Sequence, residues 1–171
     1  MISLIAAMDR DRGIGFQGGI PWIVNGKNTL PADMKRFRER TTGHPVIMGR
    51  TTYESMPGPL KERSNIVLTT DTNYAREGVI VVHTLSDALS KAKELPGNDE
   101  IFILGGGTIY RQALEQNLVD RMYLTDIDFT FTVDAYFPEY DQTSWKITHE
   151  TYILQDEKNA HTCRFLILEK P

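Results

Sequence analysis

Five short apolar runs in the first two-thirds of the chain do not alternate. They are Ile2-Ser3-Leu4-Ile5-Ala6-Ala7-Met8, Pro45-Val46-Ile47-Met48, Ile66-Val67-Leu68, Val79-Ile80-Val81-Val82 and Ile101-Phe102-Ile103-Leu104. A strand with one wet face alternates apolar and polar residues, whereas a strand covered on both faces reads as a continuous apolar run. The runs therefore predict a largely parallel sheet with helices on both faces. The intervening segments carry helical spacing. Residues 31–42 open on Pro31, a good first-turn residue. Residues 85–95 place Leu85, Ala88, Leu89, Ala92 and Leu95 on one face, behind Thr84 and Asp87 at the spacing of a capping box. Residues 107–116 carry Ile109, Tyr110, Ala113 and Leu114. The last third partly alternates, at Arg121–Thr125, Trp145–Thr148 and Cys163–Leu168, with a hairpin turn at residues 157–160. The expected architecture is one α/β domain over 1–171: a central, mostly parallel eight-stranded sheet with antiparallel C-terminal strands and helices on both faces.

Composition excludes several functions. A chain of 171 residues buries roughly 70 % of its unfolded surface, enough for a core without covalent staples. The single cysteine, Cys163, can form no internal disulfide and offers no thiolate cluster. It fits a reduced, cytoplasmic protein. His44, His83, His149 and His161 show no metal-ligand spacing, so no metal is expected. A net charge of -4 without a basic run argues against nucleic acid as a partner. The apolar stretch 1–8 has no basic residues before it and runs into Asp9-Arg10-Asp11-Arg12. It reads as a core strand rather than a signal peptide or membrane span. There is no GxSxG elbow, and the glycines at 105–107 lack the Gly-Lys-Ser/Thr of a P-loop.

In open parallel sheets ligands bind outside the carboxyl ends of the strands. That rule selects the loops after residues 8, 49, 70 and 104. Loop 9–29 is long and glycine-rich and contains Pro21-Trp22. Its length suits a functional lid or a surface insertion. Asp33 falls in the first turn of the helix at 31–42, where it can serve the helix end or a ligand. With Met34 and Phe37 beside it, it can line a slot for a flat heterocycle with an amidine-like edge, accepting two charge-assisted hydrogen bonds. Gly49-Arg50-Thr51-Thr52 and Gly105-Gly106-Gly107 each join a strand to a helix, where backbone N–H groups bind phosphate. Two such turns suit a dinucleotide, although each could be a plain connection.

Taken in order, these residues resemble the dihydrofolate reductase family over nearly the whole chain. The matching stretches are Ile2–Ala7, Gly13-Ile14-Gly15, Pro21-Trp22, Leu30-Pro31-Ala32-Asp33-Met34, Pro45–Ser55, Arg63–Leu68, Gly105–Tyr110, Tyr123-Leu124-Thr125 and Phe137-Pro138. The resemblance implies reduction of 7,8-dihydrofolate to tetrahydrofolate with NADPH. It implies that Asp33, Trp22 and Thr125 are catalytic, with Thr125 supporting the grip of Asp33 on the pterin directly or through water. The implied substrate slot is Ile5, Ala7, Met34, Phe37, Met56, Leu60, Leu104 and Tyr110, with Arg63 on the carboxylate of the glutamate tail. The implied cofactor contacts are Ala7, Ile14 and Ile20 at the nicotinamide. Gly49, Arg50, Thr51 and Thr52 would hold phosphates, with Arg50 facing the 2′-phosphate. Thr69 and Thr70 would lie near the adenosine end, and Gly106, Gly107 and Tyr110 would cover the remainder. A cis peptide between Gly105 and Gly106 is implied too. So are hydride transfer to pterin C6, protonation of N5 through water, binding of antifolate inhibitors, and a monomer in the cytoplasm.

Three stretches depart from the family pattern. Residues 23–29 lengthen the segment between Trp22 and Leu30, Pro57-Gly58-Pro59 replaces a stretch that often holds a basic residue, and Thr108 stands where some members have Arg. NADPH preference would then rest more on Arg50, helped by His83. The alternatives are a reductase of the same fold acting on a pyrimidine or another pterin, and a non-catalytic nucleotide-binding module. Asp33, Phe37 and Arg63 together favour folate.

Overall fold

The computed structural model describes all 171 residues. The strands are β1 (Ile2–Met8), β2 (Gly13–Gly15), β3 (Ile23–Val24), β4 (Lys27–Asn28), β5 (Pro45–Gly49), β6 (Ser64–Leu68), β7 (Ile80–Val82), β8 (Ile101–Ile103), β9 (Arg121–Ile127), β10 (Ala135–Tyr136), β11 (Lys146–Ile153) and β12 (Cys163–Glu169). The helices are α1 (Pro31–Thr41), α2 (Arg50–Glu54), α3 (Leu85–Ala92) and α4 (Gly107–Glu115). Eight strands form one sheet in the order β11-β12-β9-β1-β8-β5-β6-β7. Pairing is parallel from β9 to β7 and antiparallel at β11-β12 and β12-β9, as the sequence predicts.

The unbroken apolar runs now have their explanation. In β1, Leu4, Ala6 and Met8 enter a large core on one face, while Ile5 enters a second core on the other. In β5, Ile47 faces the first and Val46 and Met48 the second. In β8, Ile101 and Ile103 face the first and Phe102 the second. Phe102 is 0 % exposed and packs on Tyr123 and His44 with ring centroids 5.7 and 5.5 Å away. Phe102→Ala is expected to cost about 3–5 kcal/mol, because the void left behind cannot collapse fully. Urea denaturation measures this; a loss under about 1 kcal/mol would mean that the site relaxes.

Several element bounds differ from expectation: α1 ends at Thr41 rather than residue 42 and α4 at Glu115 rather than 116. The third helix stops at Ala92 rather than residue 95; Lys93 caps it and Leu95 still packs on the core. Its start is as predicted, with the Thr84 hydroxyl accepting from the Asp87 N–H at 3.0 Å. The strand expected at 79–82 begins at Ile80. Loop 9–29 is not irregular throughout. β2 pairs with β10, and β3 and β4 form a hairpin whose turn residues Asn25 and Gly26 both have positive φ, 50° and 74°. No helix is long and apolar enough to cross a membrane.

Candidate active site

β1, β5 and β8 run parallel, so their carboxyl ends share one edge of the sheet. There β1 leads into loop 9–29, β5 leads through Gly49 into α2, and β8 leads through Gly105–Gly107 into α4. The two glycine turns are locked together: the Gly49 N–H donates to the Gly105 carbonyl at 2.8 Å. The buried Tyr110 hydroxyl lies 2.7 Å from the Ile5 carbonyl oxygen and 2.8 Å from that of Leu104, its one hydrogen serving both acceptors, and so ties α4 to the middle of β1 and the end of β8. The Gly105–Gly106 peptide is cis.

Asp33 lies in the first turn of α1. Its side chain does not cap that helix. Pro31 has no N–H, the Ala32 N–H donates to Asn159 Oδ1 at 3.0 Å, and the N–H groups of Asp33 and Met34 turn back to the Leu30 carbonyl. Asn159, from the turn between β11 and β12, is in turn held by Asp156. Of the two roles open to Asp33 in the sequence, the helix-end one is thus filled from elsewhere. The carboxyl sits against β9 and β12. Burial pushes its pKa above the ordinary value, while a hydrogen bond from Thr125 and the nearby Arg36 charge pull it back. The same burial, reinforced by the Asp33 charge, raises the Tyr110 phenol and lifts the Cys163 thiol to about 12.

The apolar residues expected beside Asp33 come together. Ile5, Phe37, Met56, Leu60 and Leu104 pack in a single cluster with Val46, Met48 and Phe102. Met34 follows Asp33 on α1 and is half-buried. Arg63 lies across the Phe37 ring, 5.9 Å from its centroid, and is steadied by donation to Thr41 Oγ1 and the Lys61 carbonyl, both at 2.9 Å. Burial lowers its pKa. Ala7 packs in a third cluster with Trp22, Leu30 and Cys163, and Trp22 is 4 % exposed against Phe131.

Of the residues expected around a dinucleotide, Ile14, Thr51 and Thr52 approach glycines at this edge of the sheet. A Cβ on Gly106 would stand 3.4 Å from Thr52 Oγ1; one on Gly107 would meet the Tyr136 carbonyl at 2.8 Å, with Ile14 at 3.8 Å. Loop 9–29 reaches this region, since a Cβ on Gly18 would touch Thr51 at 4.0 Å. Arg50 pairs with Glu54 and Asp71, both at 3.1 Å, and stacks on Tyr74 at 4.4 Å. Thr69 is buried and Thr70 exposed after β6. His83 Nδ1 lies 2.8 Å from the Thr69 carbonyl. Ile20 is 37 % exposed on the loop.

A model of the family described as dihydrofolate reductase matches residues 1–170. The chain belongs to the dihydrofolate reductase family. It is 39 % identical over 170 residues to a dihydrofolate reductase of Bacillus subtilis, covering 99 % of this chain and 95 % of that one. It is also 39 % identical over 171 residues to one from Staphylococcus aureus, with 99 % of each covered. Its structure is similar to that of an Enterococcus faecalis dihydrofolate reductase complexed with NADP(H) and RAB-propyl, with a TM-score of 0.89, 33 % identity, and 99 % and 96 % of the two chains covered. Within this dihydrofolate reductase fold, the glycine turns fit a dinucleotide: the absence of a Cβ at Gly107 lets α4 begin against the Tyr136 carbonyl, and the first N–H groups of α4 have no partner within the helix and can meet a phosphate.

Three features escaped the sequence reading. Arg36 joins Thr125 and the middles of β9 and β12, and its position three residues after Asp33 on one helix was the available signal. Asp9 is buried, its Oδ1 accepting from Asp11 N at 2.9 Å and Gly13 N at 2.6 Å, its Oδ2 from Phe131 N at 3.0 Å. Asn25-Gly26 is the commonest two-residue hairpin signature and marks the β3–β4 turn.

Proposed function

We propose that the chain reduces 7,8-dihydrofolate to 5,6,7,8-tetrahydrofolate with NADPH at this edge of the sheet, as a cytoplasmic monomer. The observation that carries the reading is a carboxylate released from its helix end. Asp33 is half-buried at one end of an apolar slot, with Thr125 donating to it, and Arg63 stands beside Phe37, another residue of that slot. Asp33 grips the 2-amino group and neighbouring ring nitrogen of the pterin through two parallel charge-assisted hydrogen bonds. Thr125 fixes the carboxylate from behind. Ile5, Ala7, Met34, Phe37, Met56, Leu60 and Leu104 hold the ring flat and dry. Arg63 presents a planar fork to the carboxylate of the glutamate tail, which favours a folate over a tailless pterin or pyrimidine.

The nicotinamide, when bound, supplies the hydride that goes to pterin C6. Ala7, Ile14 and Ile20 border it, and Tyr110 braces the strand ends beneath. The phosphates rest on Gly49, Arg50, Thr51, Thr52, Gly106 and Gly107, with Thr69 and Thr70 at the adenosine end. Asp33 sits at the far edge of the ring from N5, so water delivers the N5 proton while the Asp33 charge biases the ring electronically. Trp22, on loop 9–29, helps to exclude other water once the loop covers the site.

The test is loss of NADPH absorbance in the presence of dihydrofolate; no loss with pure folded protein would contradict the reading. Arg63→Leu is expected to weaken folate binding by about 10- to 100-fold with kcat nearly intact, the scale of one charge-assisted pair. An unchanged folate dissociation constant would remove Arg63 from the tail site.

A further inference from the structure

We propose that Arg36 is a positioning residue for this reaction: its guanidinium fixes the Thr125 hydroxyl so that the single hydroxyl hydrogen points at Asp33, and thereby keeps the Asp33 carboxylate ionised. The proposal rests on the reading of Asp33 given above.

The geometry is specific. Arg36 Nη1 donates to the Leu124 carbonyl at 2.9 Å and to Thr125 Oγ1 at 3.1 Å, and Nη2 donates to the Leu166 carbonyl at 2.7 Å. The guanidinium lies 4.7 Å from the Phe165 ring centroid and 6.0 Å from that of Tyr123. A side chain held by three acceptors and two aromatic faces has little freedom. A hydroxyl has one hydrogen and two lone pairs. With Arg36 donating into the oxygen, the hydrogen is left for an acceptor, and Asp33 is the acceptor beside it. Arg36 forms no direct ion pair with Asp33, so the hydrogen-bonded route between them passes through Thr125.

The charges around the pair leave this role to Arg36. From α4, Tyr110 faces Asp33 as a neutral phenol, and from β12 Cys163 faces it as a neutral thiol, both held protonated by burial. From β9, Thr125 is uncharged, and Tyr123 faces Arg36 as a phenol whose pKa burial has raised. On α1, Arg40 repels Arg36, and Lys35 and Glu39 face each other 3.7 Å apart at the surface. Burial lowers the Arg36 pKa to about 10, so it stays charged at neutral pH.

The experiment measures, by calorimetry, how the affinity of the NADPH-loaded enzyme for a 2,4-diaminopyrimidine varies with pH, together with the acid limb of kcat/KM. Binding an amidine cation requires ionised Asp33, so affinity falls as pH drops through the Asp33 pKa. Arg36→Met is expected to move this acid limb upward by about one pH unit. Arg36→Lys should restore most of the wild-type position, and in a Thr125→Val background Arg36→Met should move the limb less than it does in the wild type. If Arg36→Met does not fold, Arg36→Gln, which keeps donors without the charge, is expected to give the same upward direction. An acid limb unmoved by loss of the Arg36 charge, or moved equally with and without the Thr125 hydroxyl, would overturn the proposal. Asp33→Asn separates the two readings. If it abolishes the limb while the Arg36 variants leave the limb in place, only this inference fails; if it leaves the limb intact, the assignment of Asp33 fails.

Discussion

Asp33→Asn is expected to lower kcat/KM for dihydrofolate by about 10²- to 10³-fold at neutral pH, the scale of losing one partner of a desolvated charge pair. The same change is expected to raise the melting temperature of the unliganded protein. The folded environment raises the Asp33 pKa above its ordinary 3.8, chiefly by burial. A group whose pKa is raised on folding binds protons more tightly in the native state than in the unfolded chain. Its contribution to stability is therefore present at acid pH and is lost as pH rises from 3.8 through the raised value. Above the raised value the unliganded protein must hold a poorly solvated carboxylate, and an amide removes that cost. Steady-state kinetics and thermal melts as a function of pH measure both. Near-normal turnover would take Asp33 out of the substrate site. A melting temperature that falls in the variant would mean that the carboxylate is a structural anchor instead.

Asp9→Ala is the second large effect. This buried carboxylate gathers three backbone N–H groups, from Asp11, Gly13 and Phe131, within 3.0 Å. It fixes the start of loop 9–29 to the segment that carries Phe131, on which Trp22 packs. Alanine leaves three donors without their acceptor and opens a small void in a place where a Cβ on Gly13 would already meet Asp9 and Val133 at under 3 Å. The expected loss is about 3 kcal/mol, the scale of breaking hydrogen bonds to a buried charged group. The effect is expected to be local as well as global, with faster proteolysis in loop 9–29 and a higher KM for NADPH. A midpoint in urea equal to that of the parent, with unchanged proteolysis, would mean that β2–β10 pairing alone holds the loop.

Much of the architecture was legible because the apolar runs report burial directly. Strands β1, β5 and β8 bury alternate residues in cores on opposite faces, and only that arrangement tolerates uninterrupted apolar residues. The partial alternation of β9, β11 and β12 likewise marked the antiparallel end of the sheet. The interior of loop 9–29 was less legible. Asn25-Gly26 was present as a hairpin signal, but the strands it joins are two residues each and mostly exposed, so no hydrophobic pattern flags them. Asp33 stood out in the sequence by its place in the helix. What released it did not, because the cap comes from Asn159, some 127 residues away. Arg36 illustrates the same limit. Its spacing from Asp33 was visible, but its bonds to Leu124, Thr125 and Leu166 depend on how α1 lies across two strands from the far end of the chain.

The most direct measurement is the nitrogen NMR signal of a 2,4-diaminopyrimidine labelled at the ring nitrogen next to its 2-amino group, bound to the NADPH-loaded protein at neutral pH. An ionised carboxylate at position 33 gripping that edge predicts a protonated ring nitrogen in the parent protein and an unprotonated one in Asp33→Asn. An unprotonated ring nitrogen in the parent, or an identical signal in both proteins, would contradict it.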